Sequence, residues 1–381
     1  MNQDVCIVGG LRSYIGVYNG MYRHVPADVL GASILQRLIQ IYHVPQSAID
    51  SIICGNAVGG GGNITRLMAL QAGMDETIPA YTIDMQCCSG LESIAAASAK
   101  IACGQEQLCI VGGFESVSTQ PVRSHHPNHP AYTGKQDRYM TAQFMPGCWD
   151  EHIMPKSAEA VARNAHIRRE DLDTWVLRSH RLACRAEQEG VLRSIQVSVC
   201  GSQSDEGIRR HMSQKLLDRL PCILPQGQVL TAANTCLTHD GAAMLIVCSE
   251  ACCKQYGWRP WGKIKGACAV GTHPLKSPIG AVQSIEKLLR QYQMTAADID
   301  VFEVNEAFAV IDELFARAYP QCVERYNILG GALAYGHPYG ATGAMLVLHA
   351  LKALQQTQGT LACCSIAGAG GLGCALLVER V

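Results

Sequence analysis

Two stretches of this chain repeat one order of elements: a turn, a helix of small residues, and a strand that ends in glycine. Residues 87–113 read CCSGLESIAAASAKIACGQEQLCIVGG and residues 337–371 read HPYGATGAMLVLHALKALQQTQGTLACCSIAGAGG. A repeated unit implies two halves that bury their apolar faces against each other. Small side chains along both helices let the two backbones approach closely. Packing explains the alanines and glycines, but not a cysteine pair in one turn and Gly-His-Pro in the other.

The flanking sequence follows the same alternation. DVCIVGG, SIICGNAV and QLCIVGGF read as strands, and ADVLGASILQRLIQ has apolar residues at helical spacing. AAMLIVCS, ADIDVFEVN and GTLACCSIAG resume the pattern near the C-terminus. Strands alternating with helices predict an α/β fold with a mainly parallel sheet covered by helices. Between about residues 119 and 237 the strand signals fade while Pro, His, Arg and Gln rise, apart from the helices expected in KSAEAVARNA and REDLDTWVLRSHRLACRAEQEG. The expected domains are a first half at 1–118, completed by about 238–262, an inserted loop domain at 119–237, and a second half at 263–381.

The 381 residues are 48% hydrophobic, enough to bury a large core, and the net charge of -1 gives no overall attraction to nucleic acid. No run approaches the roughly 20 uninterrupted apolar residues of a membrane span. Nineteen cysteines in so long a chain, opening directly in strand-like sequence, fit a reducing compartment, and the cytoplasm is the expected location. Most of these thiols are then small core hydrophobes. No two of them have zinc-knuckle spacing, and His125, His126 and His129 sit among prolines that prevent a helical ligand face, so no metal is expected. Gly368, Gly370 and Gly373 match a dinucleotide fingerprint formally. That motif must open a helix and precede an acid about 20 residues on, and too little chain follows.

Cys87 stands just before a helix start, where unpaired N–H groups and the helix dipole lower a thiol pKa. His337, in Gly336-His337-Pro338, is a turn histidine that can act as its base. Taken with other blocks, these residues resemble the thiolase family. The blocks are Cys87-Cys88-Ser89-Gly90, Asn305-Glu306-Ala307-Phe308-Ala309, Asn327-Ile328-Leu329-Gly330-Gly331-Ala332, Gly336-His337-Pro338 and Gly370-Gly371-Leu372-Gly373. Arg12 with Gly16, Gly113-Phe114-Glu115-Ser116, Ser157-Ala158-Glu159 and Asp240-Gly241-Ala242-Ala243 add to the match, which spans essentially the whole chain.

The resemblance implies two duplicated, layered α/β/α halves with a loop domain that holds coenzyme A, in a homodimer or homotetramer. It implies an acyl-CoA acyltransferase of the kind used in fatty-acid metabolism, with a coenzyme A thioester as substrate and no cofactor. Cys87 would accept the acyl group, His337 would take its proton, and Asn305 would hold a water that helps polarise the thioester. The backbone N–H groups of Cys87 and Ala369 would form the oxyanion hole. Arg209, Arg210 and Lys215 are candidates for meeting the phosphates of coenzyme A, and Cys236 stands where a serine beside the pantetheine is common.

One position departs from the family. Typical thiolases carry a second cysteine before the C-terminal glycine run, which moves the α-proton during carbon–carbon bond formation or cleavage. Here the register places Ala367 there. Cys364 would face the other side of the strand, and Cys363 would lie roughly 13 Å away at about 3.3 Å per residue. The alternatives to a full thiolase cycle are a condensing enzyme, an acyltransferase without the standard Claisen step, or a degenerate acyl-CoA-binding protein. Asp84 also replaces the usual Asn three residues before the nucleophile.

Overall fold

The computed structural model describes residues 3–134, 137–236 and 238–381; Leu237, the last residue of the expected loop domain, lies outside them. The first half runs β1 (Val5–Ser13), β2 (Gly16–Val17), α1 (Ala27–Tyr42), β3 (Ser51–Gly55), α2 (Ile64–Gln71), β4 (Ala80–Ile83), α3 (Ser89–Ala102) and β5 (Leu108–Ser116). The following segment carries α4 (Ile153–Asn164), α5 (Arg169–Glu189), β6 (Gln196–Val197) and α6 (Gln214–Leu217). β7 (His239–Ser249) then returns to the first half, followed by α7 (Glu250–Gln255). The second half comprises β8 (Gly262–Gly271), α8 (Ile279–Gln291), β9 (Val301–Val304), α9 (Ala309–Ala318), α10 (Ala332–Tyr335), α11 (Tyr339–Thr357), β10 (Leu361–Gly368) and β11 (Leu372–Arg380).

The strands join in the order β4-β3-β5-β7-β1-β8-β11-β10-β9, with β2 beside β7 and β6 beside β1. Reading outward from the seam, β1-β7-β5-β3 and β8-β11-β10-β9 are the same path walked twice. β3 is parallel to β5 and β9 is parallel to β10, while β5–β7, β7–β1, β10–β11 and β11–β8 are antiparallel. The sheet is therefore mixed, not mainly parallel. The alternating pattern predicted crossover helices correctly, but each half closes with a strand that returns antiparallel to its neighbour. Among the described residues, β1 and β8 join the halves through three residue pairs, Val5–Ile264, Cys6–Lys263 and Ile7–Gly262.

Three apolar clusters show the layering. Along β7, Ala243, Leu245 and Val247 face a central core shared with α3, α11, β10 and β11, while Met244, Ile246 and Cys248 face α1 and α2. On the second half, Cys363 and Ala367 of β10 face α8 and α9, and Cys364 and Ile366 face the centre. The period-two alternation of a strand thus feeds a different core on each face, giving helix, sheet, helix pair, sheet, helix. α3 and α11 form the middle layer. A Cβ at Gly343 would stand 2.0 Å from the Leu91 backbone N, and one at Gly90 would stand 2.5 Å from Gly340 O, so the two helices touch backbone to backbone.

The segment between β5 and β7 is tied to this frame by a buried ion pair. Arg12, fully buried on β1, bonds Asp205 through both terminal nitrogens at 2.8 and 2.9 Å and reaches His349 of α11 at 3.2 Å. Removing one partner of such a pair costs about 3–5 kcal/mol. Arg12 is therefore a structural member of its sequence block. Glu159 has a similar duty, accepting from the N–H groups of Gln228, Val229 and Leu230.

Candidate active site

The turn before α3 is wound tightly. Asp84 Oδ1 accepts from Gln86 N at 2.9 Å and from the Gln86 amide at 3.1 Å, holding Gln86 at φ +53. Ser89 Oγ accepts from Met85 N at 2.8 Å. This left-handed residue, uncommon for a non-glycine, turns the next side chain, Cys87, into a cavity of about 360 Å³. Asp84 thus fixes the turn that presents the thiol.

The second half supplies the facing wall. Gly336, at φ +109 against the His239 ring, forms the turn into α11 and delivers His337, which is 2% exposed. Asn305 Nδ2 lies 3.3 Å from His337 Nε2, and Thr342 Oγ1 lies 2.6 Å from His337 Nδ1. An amide N–H can only donate, so Nε2 carries the lone pair and Nδ1 carries the proton, given to Thr342. The assignment follows from the hydrogen-bond network. Asn305 Oδ1 is buried and makes no hydrogen bond among the described residues.

Burial is the largest influence on the Cys87 thiol, and the backbone at Ala369 and at Cys87 itself opposes it, in the direction the nearby helix start was expected to act. Burial outweighs them and pushes the thiol up to about 12, with the Glu115 and Asp84 charges adding to the rise. Burial also drives His337 down to about 3, aided by His239. The resting pair is a neutral thiol and a neutral imidazole. The lowered thiol pKa expected from the helix start is therefore not what the site shows, because burial costs the thiolate more than the nearby backbone dipoles return.

Cys87, His337, Cys236, Ala367 and Ala369 all line this cavity. Arg209, Arg210 and Lys215 do not. They are exposed on the inserted segment: Arg210 pairs with Glu187 at 2.8 Å, Arg209 donates to Glu206 O, and Lys215 lies in α6. Among the described residues the cation that lines the cavity is Arg123, which also donates to the Val58 carbonyl at 3.2 Å. Sequence reasoning missed Arg123, Thr342 and Tyr339. Thr342 was findable, one helical turn beyond Pro338 in the repeated block, whereas Arg123 sits in a loop with no periodic signal. Much of the remaining wall is apolar, including Met140, Phe144, Met154, Phe308 and Ile311.

The thiolase N-terminal domain family matches residues 5–251 and the thiolase C-terminal domain family matches residues 258–380. The chain belongs to the thiolase family. It is 35% identical over 384 residues, covering all of both chains, to a putative acetyl-CoA C-acetyltransferase VraB of Staphylococcus aureus. It is 34% identical to a probable acetyl-CoA acyltransferase of the same species, with 92% of each chain covered. Among solved structures it resembles the Bacillus anthracis acetyl-CoA acetyltransferase (TM-score 0.92, 28% identity, 100% and 99% of the two chains). Human mitochondrial 3-ketoacyl-CoA thiolase is similar (TM-score 0.91, 27% identity, the same coverage). The protein is a thiolase-type acetyl-CoA acyltransferase.

Several of the thiolase blocks turn out to be scaffold. Glu306 accepts from Ser179, Asn327 and the Leu333 N–H, and Glu115 accepts from the Ala57, Val58 and Gly340 N–H groups. Burial lifts Glu115 to about 7. The C-terminal glycine run forms the turn of the β10–β11 hairpin, with Gly370 and Gly371 both at φ +80, and opens no helix. His125 bonds Asp137 at 2.7 Å and stacks on His129 and Tyr139. Among the described residues no group of three or more His, Cys, Asp or Glu is arranged to hold a metal ion, and no helix is long and apolar enough to cross a membrane.

Proposed function

We propose that this thiolase carries an acyl group on Cys87 and cleaves or forms the C2–C3 bond of a 3-ketoacyl-CoA. The observation that carries the reading is one cavity lined by Cys87, His337 and Ala369, with the backbone N–H groups of Cys87 and Ala369 beside the thiol. His337 Nε2, free of a proton, takes the proton of Cys87 as the thiol attacks. The two N–H groups then meet the oxygen that becomes negative on the acyl-enzyme, and fixed donors of that kind are worth about 3–4 kcal/mol each. Asn305 Oδ1, buried without a partner among the described residues, suits a water that bonds the substrate oxygen. No cofactor enters this scheme.

The inserted segment at 119–237 supplies the coenzyme A side of the site in this reading. Arg123 stands in the cavity wall, while exposed Arg209, Arg210 and Lys215 are available to phosphates farther out. The apolar walls fit an acyl chain. The working assembly is a homodimer or homotetramer in the cytoplasm.

Incubation with acetyl-CoA followed by intact-mass measurement tests the reading. One acetyl group is expected on the wild type and none on Cys87→Ala, a loss of at least about 10⁴-fold in turnover. An adduct that persists in Cys87→Ala refutes the assignment. Ala367 favours a second reading, acyl transfer without a Claisen step, since it lines the cavity and can carry no proton. Thiolysis of acetoacetyl-CoA decides between the two.

A further inference from the structure

Ala367 leaves the cavity without the group that thiolases use to move the α-proton, and the cavity wall shows where a replacement stands. Beyond Cys87 and His337, its lining side chains that can exchange a proton on a carbon acid are Cys236, Tyr339 and Glu151. Glu151 is exposed. Tyr339 sits edge-on to His337, with ring centres 5.1 Å apart, on the side of the nucleophile's own base. Cys236 lines the same cavity. Its N–H donates to the Ala307 carbonyl at 2.9 Å, and Ala307 packs in the same apolar cluster as Ala367. Thr238 also lines the cavity and pairs with His337, so Cys236 and Thr238 touch the wall at Ala307 and at the histidine respectively.

We propose that Cys236 carries the α-proton in this chain, in place of the group that Ala367 lacks. The proposal rests on the reading that the protein breaks or makes the C2–C3 bond. In the cleavage direction, His337 takes the proton of Cys87 and the sulfur attacks the C3 carbonyl. The tetrahedral adduct collapses, the C2–C3 bond breaks, and its electron pair passes to C2 as an enolate. The Cys236 thiol protonates C2, releasing acetyl-CoA and leaving a Cys236 thiolate. Incoming coenzyme A gives its thiol proton to that thiolate and attacks the acyl-Cys87 thioester. The departing Cys87 sulfur recovers its proton from His337, and every group returns to its starting state.

Two contacts suit Cys236 to this work. Its sulfur lies 3.5 Å from the Ala332 carbonyl and 4.0 Å from His239 Nδ1, so the thiol has a resting acceptor and an imidazole beside the transient thiolate. Burial keeps the thiol protonated at neutral pH, which is the form that cleavage consumes first.

The test separates the partial reactions. In heavy water, wild type should exchange the methyl protons of acetyl-CoA for deuterium and should cleave acetoacetyl-CoA. In Cys236→Ala, Cys87 still becomes acetylated by intact mass, while exchange and cleavage fall by about 100-fold or more. Adding Ala367→Cys to that variant should restore exchange, a recovery that a merely structural Cys236 would not show. Where the alanine variant does not fold, Cys236→Ser keeps the size and removes the proton carrier. Exchange at close to the wild-type rate in a folded Cys236→Ala overturns the proposal, as does loss of exchange in Tyr339→Phe but not in Cys236→Ala. A wild type that acetylates Cys87 yet neither exchanges nor cleaves overturns the bond-breaking reading, and the proposal with it.

Discussion

In the first half the turn before the central helix presents Cys87; in the second half the corresponding turn presents His337. The two turns lie at the starts of α3 and α11, helices whose backbones touch through Gly90 and Gly343, so one packing contact ties the turn of Cys87 to the turn of His337. The halves then diverge in what surrounds those turns. The first half adds the inserted segment with Arg123 and Cys236, and the second adds Asn305 and the Ala369 N–H. The duplication gives a frame with two equivalent helix starts, and each start carries a different residue, a cysteine in one and a histidine in the other.

The comparison breaks most visibly at His337. His337→Gln keeps a polar side chain at the second turn but removes the proton acceptor, and single-turnover acylation of Cys87 should fall about 10²–10⁴-fold. Rapid-quench mass analysis reads this directly; a loss of less than tenfold would mean that the two turns do not act as a pair. The same pair predicts an unusual pH response. A thiol held up to about 12 gains thiolate about tenfold per pH unit below that value. Alkylation of Cys87 by iodoacetamide, mapped among the 19 cysteines by peptide mass, should therefore climb steadily from neutral to alkaline pH. A plateau near neutrality would reveal a thiolate–imidazolium pair instead.

The contact between α3 and α11 carries the next largest effect. In Gly343→Ala the added Cβ would stand 2.0 Å from the Leu91 backbone, which cannot rotate away, so the helices must separate. Overpacking of this kind costs about 1–3 kcal/mol. A lower midpoint in urea is expected, together with slower acylation because both turns shift. Gly60→Ala, with open space around the added atom, is the control and should leave both unchanged.

Much of this frame was legible in the sequence because duplication and period-two alternation are local patterns. The strands at β1, β3, β5, β7, β9 and β10 and the helices α1, α3, α5 and α11 fall where the apolar spacing placed them. The antiparallel returns were not legible, since an interior strand with both faces buried, such as β7 with all its residues covered, looks alike in either direction. Cys87 and His337 could be read from residue type and turn context. Their ionisation could not, because it depends on a cavity closed by residues far apart in sequence. Arg209, Arg210 and Lys215 stand out by charge, but charge does not say which loop lines a cavity; the loop of Arg123 does so here.

The smallest expected effect probes the residue that gives the second turn its direction. Thr342 accepts the Nδ1 proton of His337 and passes its own hydroxyl proton to the Pro338 carbonyl at 3.0 Å, so the start of α11 orients the imidazole. Thr342→Val keeps the shape and removes the acceptor. A net hydrogen bond is worth about 1 kcal/mol, or about fivefold in rate. Acylation should slow by that order while acetyl-CoA binding stays constant, because the hydroxyl touches the histidine and not the substrate. The first turn has no counterpart: Cys87 is aimed by the backbone of Gln86 at φ +53, and Ser89 bonds the turn rather than the thiol. Ser89→Ala should therefore loosen the turn and weaken both acylation and thermal stability, whereas Thr342→Val should alter acylation alone. If both substitutions changed stability equally, orientation of His337 by its own helix start would be refuted.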